Sequence, residues 1–227
     1  MSARLVAEFL GTAFLVAAVV GSGIMAERLA NGNVALALLA NTMATGAALV
    51  ALILTFGPIS GAHLNPVVSL ADAMEGGINW LDALAYIIGQ ALGGVCGVIT
   101  ANAMFSLPTI SVSHHARTGP AHLLSEFIAT FGLLSVIWGC SRSRASIVPF
   151  AVGCYITAAY WFTASTSFAN PAVTIARSLS DTFAGIRPTD VPLFVVAQVA
   201  GGLSATFLFR WLIPGLPSVA ERVVVPH

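Results

Sequence analysis

Long apolar stretches separated by short polar breaks organise this chain. Runs rich in Leu, Val, Ile, Ala and Phe fall at about 5–25, 33–56, 81–105, 121–141, 145–164 and 190–213. Each is about 20 residues long, enough for a helix to cross the hydrocarbon core of a bilayer. The breaks carry turn chemistry: Asn31-Gly32-Asn33, Gly76-Gly77-Ile78-Asn79, the polar stretch Ser111 to Pro120, Ser141 to Arg144, and Arg187-Pro188-Thr189-Asp190. The pattern predicts an all-α membrane protein with six spanning helices. The first run opens at Met1-Ser2-Ala3-Arg4 in the form of a signal peptide. No small-residue cleavage site follows it, so it reads as the first span.

Two shorter apolar runs, Val67 to Met74 and Ala172 to Leu179, do not fit that scheme. Each follows an Asn-Pro pair, Asn65-Pro66 and Asn170-Pro171. Asn caps a helix through its side-chain oxygen, and Pro suits the first turn because its missing N–H would be unpaired there. Both runs are too short to span and read as half-helices, one in the loop after the second span and one after the fifth. Half-helices in matching positions of two chain halves point to a transport site at the membrane midplane.

The halves match elsewhere too. Leu5-Val6-Ala7-Glu8-Phe9-Leu10 parallels Leu123-Leu124-Ser125-Glu126-Phe127-Ile128, and Gly89-Gln90 to Gly94 parallels Ala197-Gln198 to Gly202. Three spans per half is an odd number, so the second half must insert upside down, as an inverted repeat. The expected organisation is one channel domain over 1–227, with a first repeat at about 1–110, a second at about 118–215 and a tail at 216–227. Gly89, Gly93, Gly94, Gly97, Gly201 and Gly202 follow small-residue spacing and permit close helix crossing. Gln90 and Gln198 are expected to hydrogen-bond between helices.

Composition sharpens this picture. The chain is 57% hydrophobic and only 8% charged, against about 25% charged residues in a soluble domain. Its nine basic residues are all Arg and nine acids balance them, so no basic field invites nucleic acid. Cys96, Cys140 and Cys154 lie in apolar segments and read as small buried hydrophobes, without a disulfide framework or metal-ligand spacing. His114 and His115 form an adjacent pair in a polar loop and read as solvated rather than as metal ligands. No cofactor or metal site is expected.

Arginine placement sets the expected orientation. With both termini cytoplasmic, Arg4, Arg142, Arg144, Arg210 and Arg222 lie inside, and Arg28, Arg117, Arg177 and Arg187 lie outside or face outward. The Arg142 and Arg144 pair in a short loop decides the choice.

Ser60-Gly61-Ala62-His63-Leu64-Asn65-Pro66 is close to the first signature of the aquaporins and aquaglyceroporins, the major intrinsic proteins. The resemblance covers nearly the whole chain: six spans, inverted halves, two Asn-Pro half-helices, and a glutamate in the first and fourth spans. It implies a homotetramer in the cell (inner) membrane with one pore per subunit, passing water and small neutral solutes. It places Asn65, Pro66 and Val67 with Asn170, Pro171 and Ala172 at the meeting half-helix ends. Each Asn either only caps its helix or also offers side-chain N–H donors to a passing solute. Glu8 and Glu126 are intramembrane acids, either a proton-coupling site or, by the resemblance, acceptors for the backbone of the re-entrant loops. His63 is either a packed, hydrogen-bonded side chain or, by the resemblance, a residue lining the cytoplasmic half of the pore.

The chain departs from the family in two places. Val67 stands where the family usually has Ala, a bulkier contact that leaves the capping intact. The larger departure is Val173, where the family usually has the Arg of its outer constriction. Arg177 follows one helical turn later and is expected near the outward end of the half-helix, not as a replacement. Counting back along the family's spacing gives Thr45, Ala158 and Ser167 as the other filter positions. None of the four is large or charged, so a wide, partly apolar filter is expected. That favours passive passage of glycerol, urea or metalloid hydroxides such as arsenous acid. Filters without the Arg also occur in a microbial branch associated with arsenic handling, so methylated arsenicals enter the expected range. The alternatives are a water-selective pore and an ion-coupled secondary transporter, which the inverted repeat also fits. An intramembrane enzyme finds no nucleophile–base pair or metal set at a workable spacing.

Overall fold

The computed structural model describes residues 1–143 and 145–213. The expected tail at 216–227, Arg144 and Arg222 lie outside them, as does the side chain of Arg142. The elements are α1 (Ser2–Leu29), α2 (Val34–Ser60), α3 (Pro66–Glu75), α4 (Trp80–Met104), α5 (Pro120–Ser143), α6 (Val148–Phe162), α7 (Pro171–Arg177) and α8 (Val191–Leu212). Short 3₁₀ turns at Ala145–Ile147 and Pro188–Asp190 lead into α6 and α8. No strand occurs among the described residues. Six helices are long and apolar enough to cross a membrane, and their bounds follow the apolar runs closely.

The half-helices form where the sequence places them. Asn65 and Asn170 are the N-caps, each in extended backbone, and each side chain accepts from the N–H two residues on (Val67 and Ala172). α7 ends at Arg177 rather than running on to Leu179, because Ser178 and Leu179 fold into a turn on the Ile175 and Ala176 carbonyls.

Packing repeats between the halves. α1 packs on α4 as α5 packs on α8, and α2 meets α6 across the two halves. A Cβ at Gly93 would overlap the Phe9 carbonyl, and one at Gly201 would overlap the Phe127 carbonyl. Only glycine allows those backbones to approach so closely. Between α2 and α6, a Cβ at Gly153 would overlap the Val50 side chain and the Gly46 carbonyl oxygen, and one at Gly46 would overlap the Thr157 hydroxyl. Large apolar side chains such as Phe14, Leu81, Leu92, Phe150 and Trp211 face outward, which suits a surrounding of lipid or apolar protein rather than water. Cys96 and Cys154 share that outer surface, which corrects the expectation that they are buried.

Candidate functional site

The re-entrant loops before α3 and α7 bring backbone polar groups to membrane depth, where water does not satisfy them. Both loops solve this in the same way. Ala62 and Leu64 in the first, and Ser167 and Ala169 in the second, take φ of 47–50°. Left-handed conformations at non-glycine residues cost on the order of 1 kcal/mol or more each and persist only where neighbours hold them. Here a buried glutamate does so. Glu8 Oε1 accepts from the Ser60 hydroxyl (2.6 Å) and His63 N–H (3.0 Å), and its Oε2 accepts from Leu64 N–H and Gln90 Nε2 (both 2.7 Å). Glu126 accepts from Phe168 N–H and Ala169 N–H (both 2.9 Å) and from Gln198 Nε2 (2.6 Å). Each glutamine also donates into the half-helix, Gln90 to Ser69 Oγ and Gln198 to Thr174 Oγ1. The expected inter-helix role of both glutamines is therefore met by a bond from each to the loop-supporting carboxylate.

Asn65 and Asn170 do more than cap. Asn65 Nδ2 donates to the Ala169 carbonyl (2.8 Å), and Asn170 Nδ2 donates to the Leu64 carbonyl (2.7 Å). Each asparagine thus fastens the opposite loop. An amide nitrogen carries two N–H groups, so each keeps one donor beyond this cross-link. Both asparagines line a cavity of about 450 Å³, with His63, Thr45, Ser167 and Val173 also on its wall. Much of the remaining lining is apolar, including Leu15, Val19, Ile53, Val68 and Leu133.

Pro66, Val67, Pro171 and Ala172 are not on that wall. Val67 is buried in the core around Trp138 and Leu134, and its side chain occupies the space left by the missing Cβ of Gly202. The bulk of the Asn-Pro-Val variant is therefore taken up by α8, away from the cavity.

Ala158 is corrected by the structure: it is exposed on the outer face of α6 and does not touch the cavity. Val152, Ile156 and Tyr160 line it instead, a stripe at every fourth residue of one helical face. Ala158 and Tyr160 are two residues apart and so point to nearly opposite sides of α6. The chain between α6 and Asn170 is not helical, so residue counting across it does not fix a helix face. Tyr160 donates a long hydrogen bond to Thr45 Oγ1 (3.4 Å). The expectation that no large residue stands at the filter therefore fails for this corner.

Arg177 is the second correction. It lies in the last turn of α7 as expected, but it does not reach outward. It is 2% exposed and lines the cavity together with Val173, one turn earlier on the same face. Its guanidinium lies 3.4 Å from the ring centroid of Phe168, and its Nε donates to the Ala184 carbonyl. Arg117 approaches the same ring at 4.9 Å and holds the second loop by donating to the carbonyls of Ser165 (3.1 Å), Gly185 (2.8 Å) and Phe183 (3.4 Å). Burial, and then the charge of Arg177, push the Arg117 guanidinium down to about 9. Neither arginine is a solvated loop charge, so neither weighs in an orientation count as Arg28 and Arg187 do. Tyr160, Phe168 and Arg117 carry no sequence motif for a pore or loop-supporting role; the spacing of Val152, Ile156 and Tyr160 by four residues on α6 is the one signal for Tyr160.

In the first loop, His63 occupies the place of Phe168, and Asp72 the place of Arg177. His63 Nδ1 lies 3.0 Å from Ser69 Oγ, its Nε2 lies 3.5 Å from Asp72 Oδ2, and Tyr86 packs edge-on against its ring. His63 is thus both packed and on the cavity wall. Among the described residues no group of three or more metal-ligating side chains comes together. His114 instead pairs with Asp181 at the surface.

Comparison with known proteins agrees with this geometry. The family model "Major intrinsic protein" matches residues 1–169. The chain is similar to aquaglyceroporin AqpS of Rhizobium meliloti, at 54% identity over 97% of this chain and 95% of that protein. It is 32% identical to a glycerol uptake facilitator protein of Streptococcus pneumoniae over 69% of this chain and 73% of the relative. The fold matches the X-ray structure of the aquaglyceroporin from Plasmodium falciparum with a TM-score of 0.74 at 18% identity, covering 95% of this chain and 98% of the other. With its six membrane-spanning helices and paired half-helices, the chain belongs to the major intrinsic protein family.

Proposed function

We propose that this protein is a passive channel for small uncharged solutes: glycerol, urea, metalloid hydroxides such as arsenous acid, methylated arsenicals, and water. The observation that carries this reading is the junction of the half-helices. There Asn65 and Asn170 each spend one amide N–H on the opposite loop and line the cavity with the other available. The two N-terminal helix ends add partial positive charge at the same level, which opposes cations and favours electroneutral passage. Glu8 and Glu126 are fully buried and committed to loop support, which favours a channel over proton coupling. The similarity to an aquaglyceroporin and a glycerol uptake facilitator supports glycerol among these solutes.

In this reading Asn65, Pro66, Val67, Asn170, Pro171 and Ala172 form the junction. Thr45, Ser167 and Val173, joined by Tyr160 in place of Ala158, shape the outer part of the path. The protein works as a homotetramer in the cell membrane with both termini cytoplasmic. Arg210, paired with Glu75 at 2.9 Å, then marks the cytoplasmic end. The test is downhill flux of glycerol, urea and arsenous acid into proteoliposomes, recorded alongside membrane conductance. Fast, electrically silent entry supports the reading, and entry no faster than into protein-free vesicles overturns it.

A further inference from the structure

The first half-helix buries more negative charge than it pairs. Asp72 and Glu75 lie three residues apart on one side of α3, and they are 0% and 3% exposed. Arg210 of α8 donates from Nε to Glu75 Oε1 (3.1 Å), but its side chain is 44% exposed, so water weakens its charge. Among the described residues Asp72 pairs with no arginine. Neither of its carboxylate oxygens has a hydrogen-bond partner, and Glu75 Oε2 has none either. His63 is an independent sign that something is held here. It is 5% exposed, its Nε2 is also without a partner, and that atom faces Asp72 Oδ2 at 3.5 Å, long for a hydrogen bond. The surrounding groups do not supply the missing positive charge. Tyr86 of α4 packs edge-on against His63, in the field of Arg4 and Asp82, whose charges oppose each other. Glu8 of α1 is spent on the first loop and Gln90. Arg177 of α7 turns to the ring of Phe168. Two buried carboxylates thus share one half-exposed guanidinium, and buried like charges take up a proton rather than both ionise.

We propose that Asp72 and His63 form a proton-binding site behind the cavity wall, with the proton on Asp72 Oδ2 and donated to His63 Nε2. The ring then carries its own hydrogen on Nδ1 and donates it to Ser69 Oγ (3.0 Å). Ser69 Oγ also accepts from Gln90 Nε2 (3.0 Å), and a hydroxyl oxygen has lone pairs for both. The second hydrogen of Gln90 goes to Glu8 Oε2. Each donor meets an acceptor from Asp72 to the glutamate that holds the first loop. When the proton leaves, Asp72 becomes an acceptor, so Nε2 must carry the hydrogen and Nδ1 must accept from Ser69. The tautomer of His63 therefore records whether the site is loaded. A loaded Asp72 leaves Glu75 and Arg210 as a balanced pair, and the wall at His63 then adds no net negative charge to draw cations in. Asp72 itself does not border the cavity, and Gly77 covers its carboxylate so closely that a Cβ there would overlap it. The proton is a resident one and does not travel with a solute, so the site stands independently of the channel reading.

The test is solid-state nitrogen NMR of His63, with infrared spectroscopy of the carboxyl groups, on the full chain in proteoliposomes at neutral and alkaline pH. The His63 signals are assigned by their loss in His63→Gln. At neutral pH the wild type is expected to show a ring protonated on Nδ1 and bare at Nε2, with a protonated-carboxyl C=O stretch that Asp72→Asn lacks. Alkaline pH should abolish that stretch and move the hydrogen to Nε2. Asp72→Asn should hold the Nδ1 tautomer at both pH values, because its amide still donates to Nε2. Glu75→Gln removes the excess negative charge and should shift the change to lower pH. A wild-type ring protonated on Nε2 at neutral pH, alone or together with Nδ1, overturns the site, as does a change that Glu75→Gln leaves unmoved. If a variant does not insert, the wild-type tautomer at neutral pH decides alone.

Discussion

His63 and Phe168 stand at the same point of the two re-entrant loops, two residues before each asparagine, yet one ring meets a carboxylate and the other a guanidinium. His63 Nε2 lies 3.5 Å from Asp72, and the Phe168 ring centroid lies 3.4 Å from Arg177. The backbone machinery around them is nearly duplicated: a glutamate, a glutamine and a half-helix hydroxyl serve each loop. Loop support is therefore shared between the halves, while the charged partner of the ring differs.

Glu8→Gln and Glu126→Gln are expected to reduce the yield and thermal stability of inserted protein far more than they change selectivity. A neutral amide keeps the size but loses charge-assisted acceptance, worth about 1.5–3 kcal/mol per bond. Glu8 accepts four bonds and Glu126 three, so Glu8→Gln should be the more severe. Thermal unfolding in detergent and flux per inserted molecule check this. A well-folded variant whose flux loses a pH dependence would instead assign the carboxylate to proton coupling.

Gly202→Ala should destabilise the protein, because a Cβ there would overlap Val67. Overpacking of this kind costs about 1–3 kcal/mol. Adding Val67→Ala should restore most of the loss, since the two positions share one space. A double variant no more stable than Gly202→Ala would mean that α8, not Val67, limits the fit.

Tyr160→Ala is expected to raise the ratio of glycerol to water permeability by removing the large side chain opposite Thr45. Ala158→Leu should leave flux per inserted channel unchanged, since Ala158 faces outward. The reverse result in vesicle flux assays would restore the residue-counting assignment.

Much of this architecture was legible because the physics is local. Apolar run length fixed the six spans, and Asn-Pro fixed the start of each half-helix. The pairs Glu8/Glu126 and Gln90/Gln198 exposed the repeat, because an acid and an amide inside spans have few roles. Residues whose placement depends on side-chain direction were harder. Ala158 was assigned by counting back through a non-helical segment, where one residue carries no fixed rotation. Arg177 was read by the preference of cations for helix C-termini, a weak term set against a free face of the cavity and the ring of Phe168. Arg117, an arginine satisfied almost wholly by carbonyls brought from two distant segments, around Ser165 and at Phe183 and Gly185, had no signature in the sequence.

Val173→Arg is expected to cut glycerol flux far more than water flux. The added guanidinium narrows the cavity and stands one turn from Arg177, on the same face and with like charge. An aromatic at Thr45 should act in the same direction, because Thr45 borders the same cavity. The ratio of the two permeabilities in vesicles of matched protein content is the readout. An unchanged ratio in folded, inserted Val173→Arg would move substrate choice to Asn65, His63 and Asn170.

The most direct measurement is solute uptake into proteoliposomes with and without an imposed proton gradient. With Asn65 and Asn170 cross-linking the loops and the buried glutamates engaged in their support, transport should be passive and electroneutral. Initial rates of glycerol entry should be the same with either gradient direction or none, and the internal concentration should level off at the external one. Accumulation above the external concentration, driven by the gradient, would contradict the account.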